Sequence, residues 1–223
     1  VPIGRDPRAD EEARVSEFEE FPKIARLNRD ILVTEKIDGT NAQVFIGPGG
    51  DVRAGSRSRW IAPEADNFGF AAWVRDNAEA LFLALGPGRH FGEWWGSGIQ
   101  RGYGLRNGER RFSLFNAARW HVGGSTPVET RSADPRQPSR FSAEVPAFLG
   151  VVPILYRGPF RTDEIEACIE RLRGVGSVVA PGFMKPEGIV VFHMAAGVGF
   201  KATLDGDGMP KSLLSALRAG AKS

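Results

Sequence analysis

The chain has 223 residues, 42% of them hydrophobic, enough to bury the core of one large domain. Its net charge of +2 comes from 23 arginines and 6 lysines set against 27 acids, so it is arginine-rich without being a polycation. A single cysteine excludes a disulfide framework and points to a reducing, cytoplasmic setting, while the lack of a signal peptide or of any apolar run near the roughly 20 residues of a membrane span argues against a membrane partner.

Residues 6–20 mix Asp, Glu and Arg with few apolar positions, so residues 1–20 are expected to form a polar arm ahead of a single domain over 21–223. Phe21-Pro22-Lys23-Ile24 leads into a run in which Ile31, Val33 and Glu35 alternate with Leu32, Thr34 and Lys36. Ala42, Val44 and Ile46 resume the alternation after Asp38-Gly39. The pattern predicts two antiparallel strands joined by a glycine-permitted turn, with Lys36 at a strand end beside a carboxylate. Val52 to Ser58 predicts a third strand that carries Arg57, with Arg59 just beyond it. From Asn67 to Leu85 the period becomes helical, and one helix with Phe70, Trp73, Val74, Leu81 and Leu85 on its core face should end at Gly86-Pro87.

His90 to Gly98 reads as a strand opening into a glycine-rich loop. It lacks the Lys-Ser/Thr ending of a phosphate-binding P-loop, so what it offers is Glu93, an acid at a strand end. Trp94, Trp95, Arg101 and Tyr103 follow, a mixture suited either to stacking and steering a nucleic-acid end or to plain alternation of core and surface. In the next strand, Phe112-Ser113-Leu114-Phe115-Asn116, the two phenylalanines fall on opposite faces. Gly123 to Pro146 is rich in Pro, Ser, Arg and Gly without periodicity and predicts a long surface loop. Val151 to Leu155 predicts a strand and Thr162 to Arg173 a helix, whose stripe of Ile165, Cys168, Ile169 and Leu172 assigns the cysteine to packing. Pro186 to Phe192 places Glu187 before a glycine and a buried strand. Gly197 to Thr203 carries Lys201, and Met209 to Leu217 predicts a short closing helix. His90, His121 and His193 show no ligand spacing, so neither a histidine metal centre nor triad chemistry is indicated.

Thr34-Glu35-Lys36-x-x-Gly39-Thr40-Asn41 resembles the nucleophile motif of the covalent nucleotidyltransferases, the superfamily of ATP-dependent ligases and capping guanylyltransferases, and most closely the RNA ligase 2 type. The other motifs follow in family order from Phe21 to Thr203. The resemblance implies an α+β nucleotidyltransferase (ATP-grasp-like) fold of antiparallel sheets with flanking helices and nucleotide bound in the cleft. Because about twenty residues follow Lys201, no C-terminal OB domain is expected in this chain.

Carried over residue by residue, the resemblance makes Lys36 the nucleophile. Glu35 matches an adenine-recognising residue, and Ile37 and Asn41 belong to the same nucleotide-contacting run. Arg57, with Arg59 as competitor, matches the arginine on ribose or phosphate, and Glu93 the ribose-binding acid. Phe115, with Phe112 as competitor, matches the aromatic that stacks on the purine, although Asn116 stands where many relatives have Asp. Glu187 matches the acid near the catalytic metal. Lys201 matches one of a lysine pair whose other member is missing, since Gly199 and Thr203 flank it.

The chemistry explains the residue types. A lysine amine is protonated at neutral pH, with a free pKa of about 10.4, and attacks only as the neutral form. It could then displace pyrophosphate from the α-phosphorus of ATP, with Lys201, an arginine and Mg²⁺ (or Mn²⁺) offsetting the phosphate charge. AMP would pass from the lysine to a 5′-phosphate end of RNA, single-stranded or nicked, and a 3′-hydroxyl would displace it. A monomer is expected, with room for an end-processing partner. Two alternatives stand: a nucleotidyltransferase loading AMP or GMP onto another acceptor, and a nucleic-acid binding module of the same fold without turnover.

Overall fold

Alternation at every second residue gives this chain more strand than helix among the described residues, and the surprise lies in how consecutive strands are shared out. The structure is a computed structural model that describes residues 18, 20–125, 129–130 and 140–205. Within them the elements run β1 (Asp30–Lys36), β2 (Thr40–Ile46), β3 (Val52–Gly55), β4 (Trp60–Ile61), α1 (Phe70–Asp76), α2 (Ala78–Leu85), β5 (Gly88–Gly96), β6 (Arg110–Leu114), β7 (Trp120–Val122), β8 (Glu129–Thr130), β9 (Arg140–Phe141), β10 (Ala143–Val145), β11 (Gly150–Val151), β12 (Ile154–Pro159), α3 (Thr162–Val175), β13 (Gly188–His193) and β14 (Val198–Thr203). No helix among them is long and apolar enough to cross a membrane. The polar arm, apart from its last residues, and the expected closing helix at 209–217 lie outside the described residues.

Two sheets carry the α+β architecture. One has the order β12-β1-β13-β14 and is antiparallel throughout; the other has the order β11-β6-β5-β2-β3-β4, antiparallel except for the β11–β6 pair. The expected β1–β2 hairpin is therefore corrected: the strands lie in different sheets, and residues 37–39 cross between them. The reason is packing. Ile37 is 3% exposed and draws the chain into the core, and a Cβ on Gly39 would lie 2.4 Å from the Trp94 carbonyl oxygen and 2.8 Å from Trp95 Cβ. Glycine is needed here for close approach rather than for a left-handed turn.

One face of each sheet packs on helices. In the four-stranded sheet Ile31, Val33, Ile189 and Val191 pack on Cys168 and Leu172 of α3, as the helical stripe predicted, and burial pushes the Cys168 thiol up. In the six-stranded sheet Ala42, Val44, Trp94, Phe112 and Leu114 pack with Phe70, Val74 and Leu81. The alternate residues of both sheets, Lys36 on one and Asn41 and Glu93 on the other, are left to line the space between them.

Three further expectations are revised. The helix over 67–85 is two helices, divided at Asn77 (φ −112°, ψ 14°), whose side-chain amide and backbone N–H both donate to the Trp73 carbonyl, at 2.8 and 3.1 Å. The third strand stops at Gly55. The 123–146 stretch is not simply a loop, since β8 pairs with β9 and β10 runs parallel to β7 with Val145 buried. The start of α1 is held by Asp66, whose carboxylate accepts the N–H groups of Asn67, Ala71 and Ala72 at 2.6, 2.7 and 3.0 Å. Asp66→Ala is expected to lower stability by about 1–2 kcal/mol, read from thermal or urea unfolding.

Candidate active site

Lys36 closes β1 on the face turned toward the six-stranded sheet, and its Nζ meets Glu187 Oε2 at 2.5 Å. The register explains the pairing: Lys36 lies opposite Gly188 at the start of β13, so Glu187 just before it reaches the same end of the sheet. Both side chains keep partial access to solvent, 24% for the lysine and 18% for the acid.

Glu93 approaches from the other sheet. It is 7% exposed, with Oε1 accepting the Gly39 N–H at 3.0 Å and Oε2 facing the Asn41 side-chain amide at 3.4 Å. Burial pushes its carboxyl up to about 7, and the nearby Glu187 and Asp38 charges add to the rise, while Lys36 and the Gly39 N–H oppose it. Between pH 4.5 and about 7 the folded chain keeps a proton that the unfolded chain has lost, so stability falls through that window as pH rises. Glu93→Gln cannot ionise and still accepts from Gly39. It is expected to gain on the parent by on the order of 3 kcal/mol from the bottom to the top of that window, in thermal unfolding at a series of pH values. Parallel pH profiles would show that the carboxyl ionises freely in the fold.

The turn that bears the lysine is fastened by residues whose role sequence reading did not identify. Arg101 Nε pairs with Asp38 Oδ2 at 3.0 Å, its Nη1 donates to the carbonyls of Lys185 (2.9 Å) and Pro186 (3.1 Å), and its Nη2 lies 3.4 Å from Asp205 Oδ2. One guanidinium thus ties the Lys36 turn to the segment before Glu187 and to the end of β14. The Tyr103 hydroxyl accepts the Asp38 N–H at 2.9 Å, and burial pushes its phenol up. The stacking role open to Trp94, Trp95 and Tyr103 is overturned: they are 3%, 1% and 2% exposed and belong to the core.

The remaining candidates sort by face and exposure. Ile37 has a buried side chain, so only its backbone is free to face a nucleotide. Glu35 lies on the opposite face of β1 from Lys36, fully buried, where it accepts from Ser177 Oγ (2.6 Å) and from the N–H groups of Val178 (2.8 Å) and Val179 (3.0 Å). The structure gives its carboxylate to the chain leaving α3 rather than to the cleft. Asn41 is exposed. Arg57 and Arg59 are both exposed in the turn between β3 and β4, which the Ser56 N–H closes onto the Arg59 carbonyl at 2.8 Å. Phe115 is 41% exposed beside Phe91, whereas Phe112 is 1% exposed within an aromatic cluster with Phe70 and Trp73. Lys201 is exposed on β14 in the row Thr34–Val190–Lys201, two strands from β1 and so about 10 Å across the sheet on the Lys36 face. Thr203 occupies the row of Lys36 itself. A cavity of about 1120 Å³ between Trp95, Ser113, Ile154 and Arg157 opens at the β11–β12 end and is lined by none of these candidates.

Among the described residues no three His, Cys, Asp or Glu side chains cluster as a ready-made ion cage. The donors on offer are carboxylate oxygens, chiefly Glu187, which suits a hard divalent ion that takes one or two carboxylates and completes its shell with phosphate and water.

A profile of the RNA ligase family matches residues 29–202. No curated protein matches the chain. Among solved structures, a Naegleria gruberi RNA ligase variant with AMP and Mn superposes with a TM-score of 0.51 at 20% identity, covering 79% of this chain and 50% of that one. A second variant of that ligase, with ATP and Mn, gives 0.51 at 20% identity over 80% and 51%. A third, an apo form, gives 0.50 at 20% identity over 79% and 50%. The chain spans about half the length of these ligases, and at this identity the likeness bears on the fold.

Proposed function

The chain belongs to the RNA ligase family, and from that membership we propose that it joins RNA ends at the expense of ATP through an AMP carried on Lys36. The observation that carries the proposal is the convergence of Lys36 and Glu187 from one sheet and Glu93 from the other on the space between them.

In this reading Lys36 Nζ attacks the α-phosphorus of ATP. A P–N bond forms, the bond to pyrophosphate breaks, and the ammonium proton has to leave. Glu187, 2.5 Å away, is the acceptor in place. Glu93 accepts from the ribose hydroxyls with Asn41 beside it, Phe115 offers a stacking face, and Lys201 and Arg57 offset phosphate charge. Glu187 would hold Mg²⁺ or Mn²⁺, which would supply charge neutralisation at the triphosphate. A 5′-phosphate oxygen then takes AMP from the lysine, forming an anhydride. Finally a 3′-hydroxyl attacks that phosphate, forming the phosphodiester and releasing AMP.

The test is intact mass of the purified chain with ATP and Mg²⁺, with GTP and NAD⁺ as alternatives. The expected result is a gain of one AMP, reversed by pyrophosphate, and specific to ATP. No gain with any nucleotide, from protein shown not to be already adenylylated, would remove the ligase reading and leave a binding module, for which the single lysine of β14 is the structural argument.

A further inference from the structure

The cleft face of the six-stranded sheet continues well past Glu93, and its composition changes as it does. Pairing puts Asn41, Glu93 and Ser113 in one row, then Gly55, Gln43 and Phe91, with Phe115 beside Phe91 through its N–H bond to the Phe91 carbonyl. The third row holds Arg53, Phe45 and Arg89. Trp60, from the edge strand β4, lies over Gly55, whose missing side chain makes room for the indole: a Cβ there would sit 3.3 Å from the ring. Phe91, Trp60 and Phe115 are 53%, 47% and 41% exposed.

These groups are organised rather than scattered. Phe45 and Trp60 meet edge to face at 5.7 Å, and the Arg89 guanidinium stands 5.0 Å from the Phe45 ring and 5.5 Å from the Trp60 ring. Arg53 lies 5.9 Å from Phe45 and shares its charge with Asp51 at 3.0 Å, while Arg89 makes no ion pair among the described residues. Arginine held over aromatic rings keeps its charge outward and stiffens the ring it covers. A sheet interior would not leave three large aromatics this open, and ordinary solvated strands carry lysine and glutamate rather than stacked rings.

We propose that this face, with Phe91, Trp60, Phe45, Arg53 and Arg89, is a docking platform for single-stranded RNA leading to the Lys36 site. Rows two residues apart are about 7 Å apart along the strands, so the platform offers successive stacking positions to unpaired bases, with arginines beside them for the phosphates. It starts at Phe91, one row beyond Glu93 and beside the Phe115 ring left to the purine, which puts the end of the bound strand next to the place where the AMP is transferred. The inference rests on the ligase reading for the purpose of the strand, but its test does not depend on turnover.

The experiment is fluorescence anisotropy of a labelled, 5′-phosphorylated single-stranded RNA with the full chain, at several salt concentrations, beside a blunt RNA duplex. The parent is expected to prefer the single strand. Trp60→Ala should weaken binding roughly ten-fold, the loss of about one stacked base, and Trp60→Phe should restore most of it. Arg89→Gln should reduce the salt slope by about 0.7, the loss of about one phosphate contact. Unchanged binding and salt slope in Trp60→Ala and Arg89→Gln would overturn the platform, as would equal affinity for strand and duplex or no binding by the parent. Failure of the ligase reading shows separately, as a parent that gains no AMP from ATP.

Discussion

Lys36→Ala is expected to abolish the AMP adduct entirely, because in the proposed mechanism it removes the atom to which the phosphorus bonds. The alanine variant alone is ambiguous, since Glu187 loses its partner at 2.5 Å and Glu93 loses the cation that holds its carboxyl down. Lys36→Arg resolves this. It keeps a positive charge beside both acids but presents a guanidinium that stays protonated in proteins and does not act as the nucleophile. Both variants should give no mass gain with ATP, and the arginine variant should unfold within about 1 kcal/mol of the parent. An adduct that persists in Lys36→Arg would move the nucleophile elsewhere, with Lys201 the next amine to test.

Glu35→Ala is expected to be the most destabilising single change near the site. Its carboxylate is fully buried and receives three hydrogen bonds, from Ser177 Oγ and from the N–H groups of Val178 and Val179. Truncation leaves those donors without an acceptor in the core, at a cost of about 3–5 kcal/mol, or about 10 °C in Tm for a chain of this size. Glu35→Gln keeps the shape and one acceptor oxygen, so its loss should be a fraction of that. The pair of variants also decides between two roles. The adenine contact implied by family resemblance predicts that Glu35→Gln forms less adduct from ATP at unchanged Tm. The clamp seen in the structure predicts that Tm falls and that the surviving folded protein still takes AMP.

Much of this was readable along the chain because it is local. Alternation marked β1, β2 and β13, helical spacing marked the α3 stripe through Cys168, and the order of Lys36, Glu93, Phe115, Glu187 and Lys201 was visible as motifs. Alternation also separated Lys36 from Glu35, since neighbours in a strand face opposite ways. It could not say what each face would meet. The 123–146 strands escaped notice because pieces of two or three residues carry no period, and the break at Asn77 because the apolar spacing runs through it without interruption.

The sequence by itself determined which residues could carry the chemistry and the order in which they come. Only the tertiary structure decided that Asp38-Gly39 passes between two sheets rather than turning within one, that Phe112 is core while Phe115 is open, and that Trp94, Trp95 and Tyr103 are buried supports. It also revealed the fastenings: Arg101 to Asp38 across 63 positions, and Ser177 to Glu35 across 142. The physical reason is one of range. Strand and helix periods arise from backbone geometry within a few residues, whereas the partner of a buried charge is chosen by whichever distant segment the packing of two sheets brings within about 3 Å.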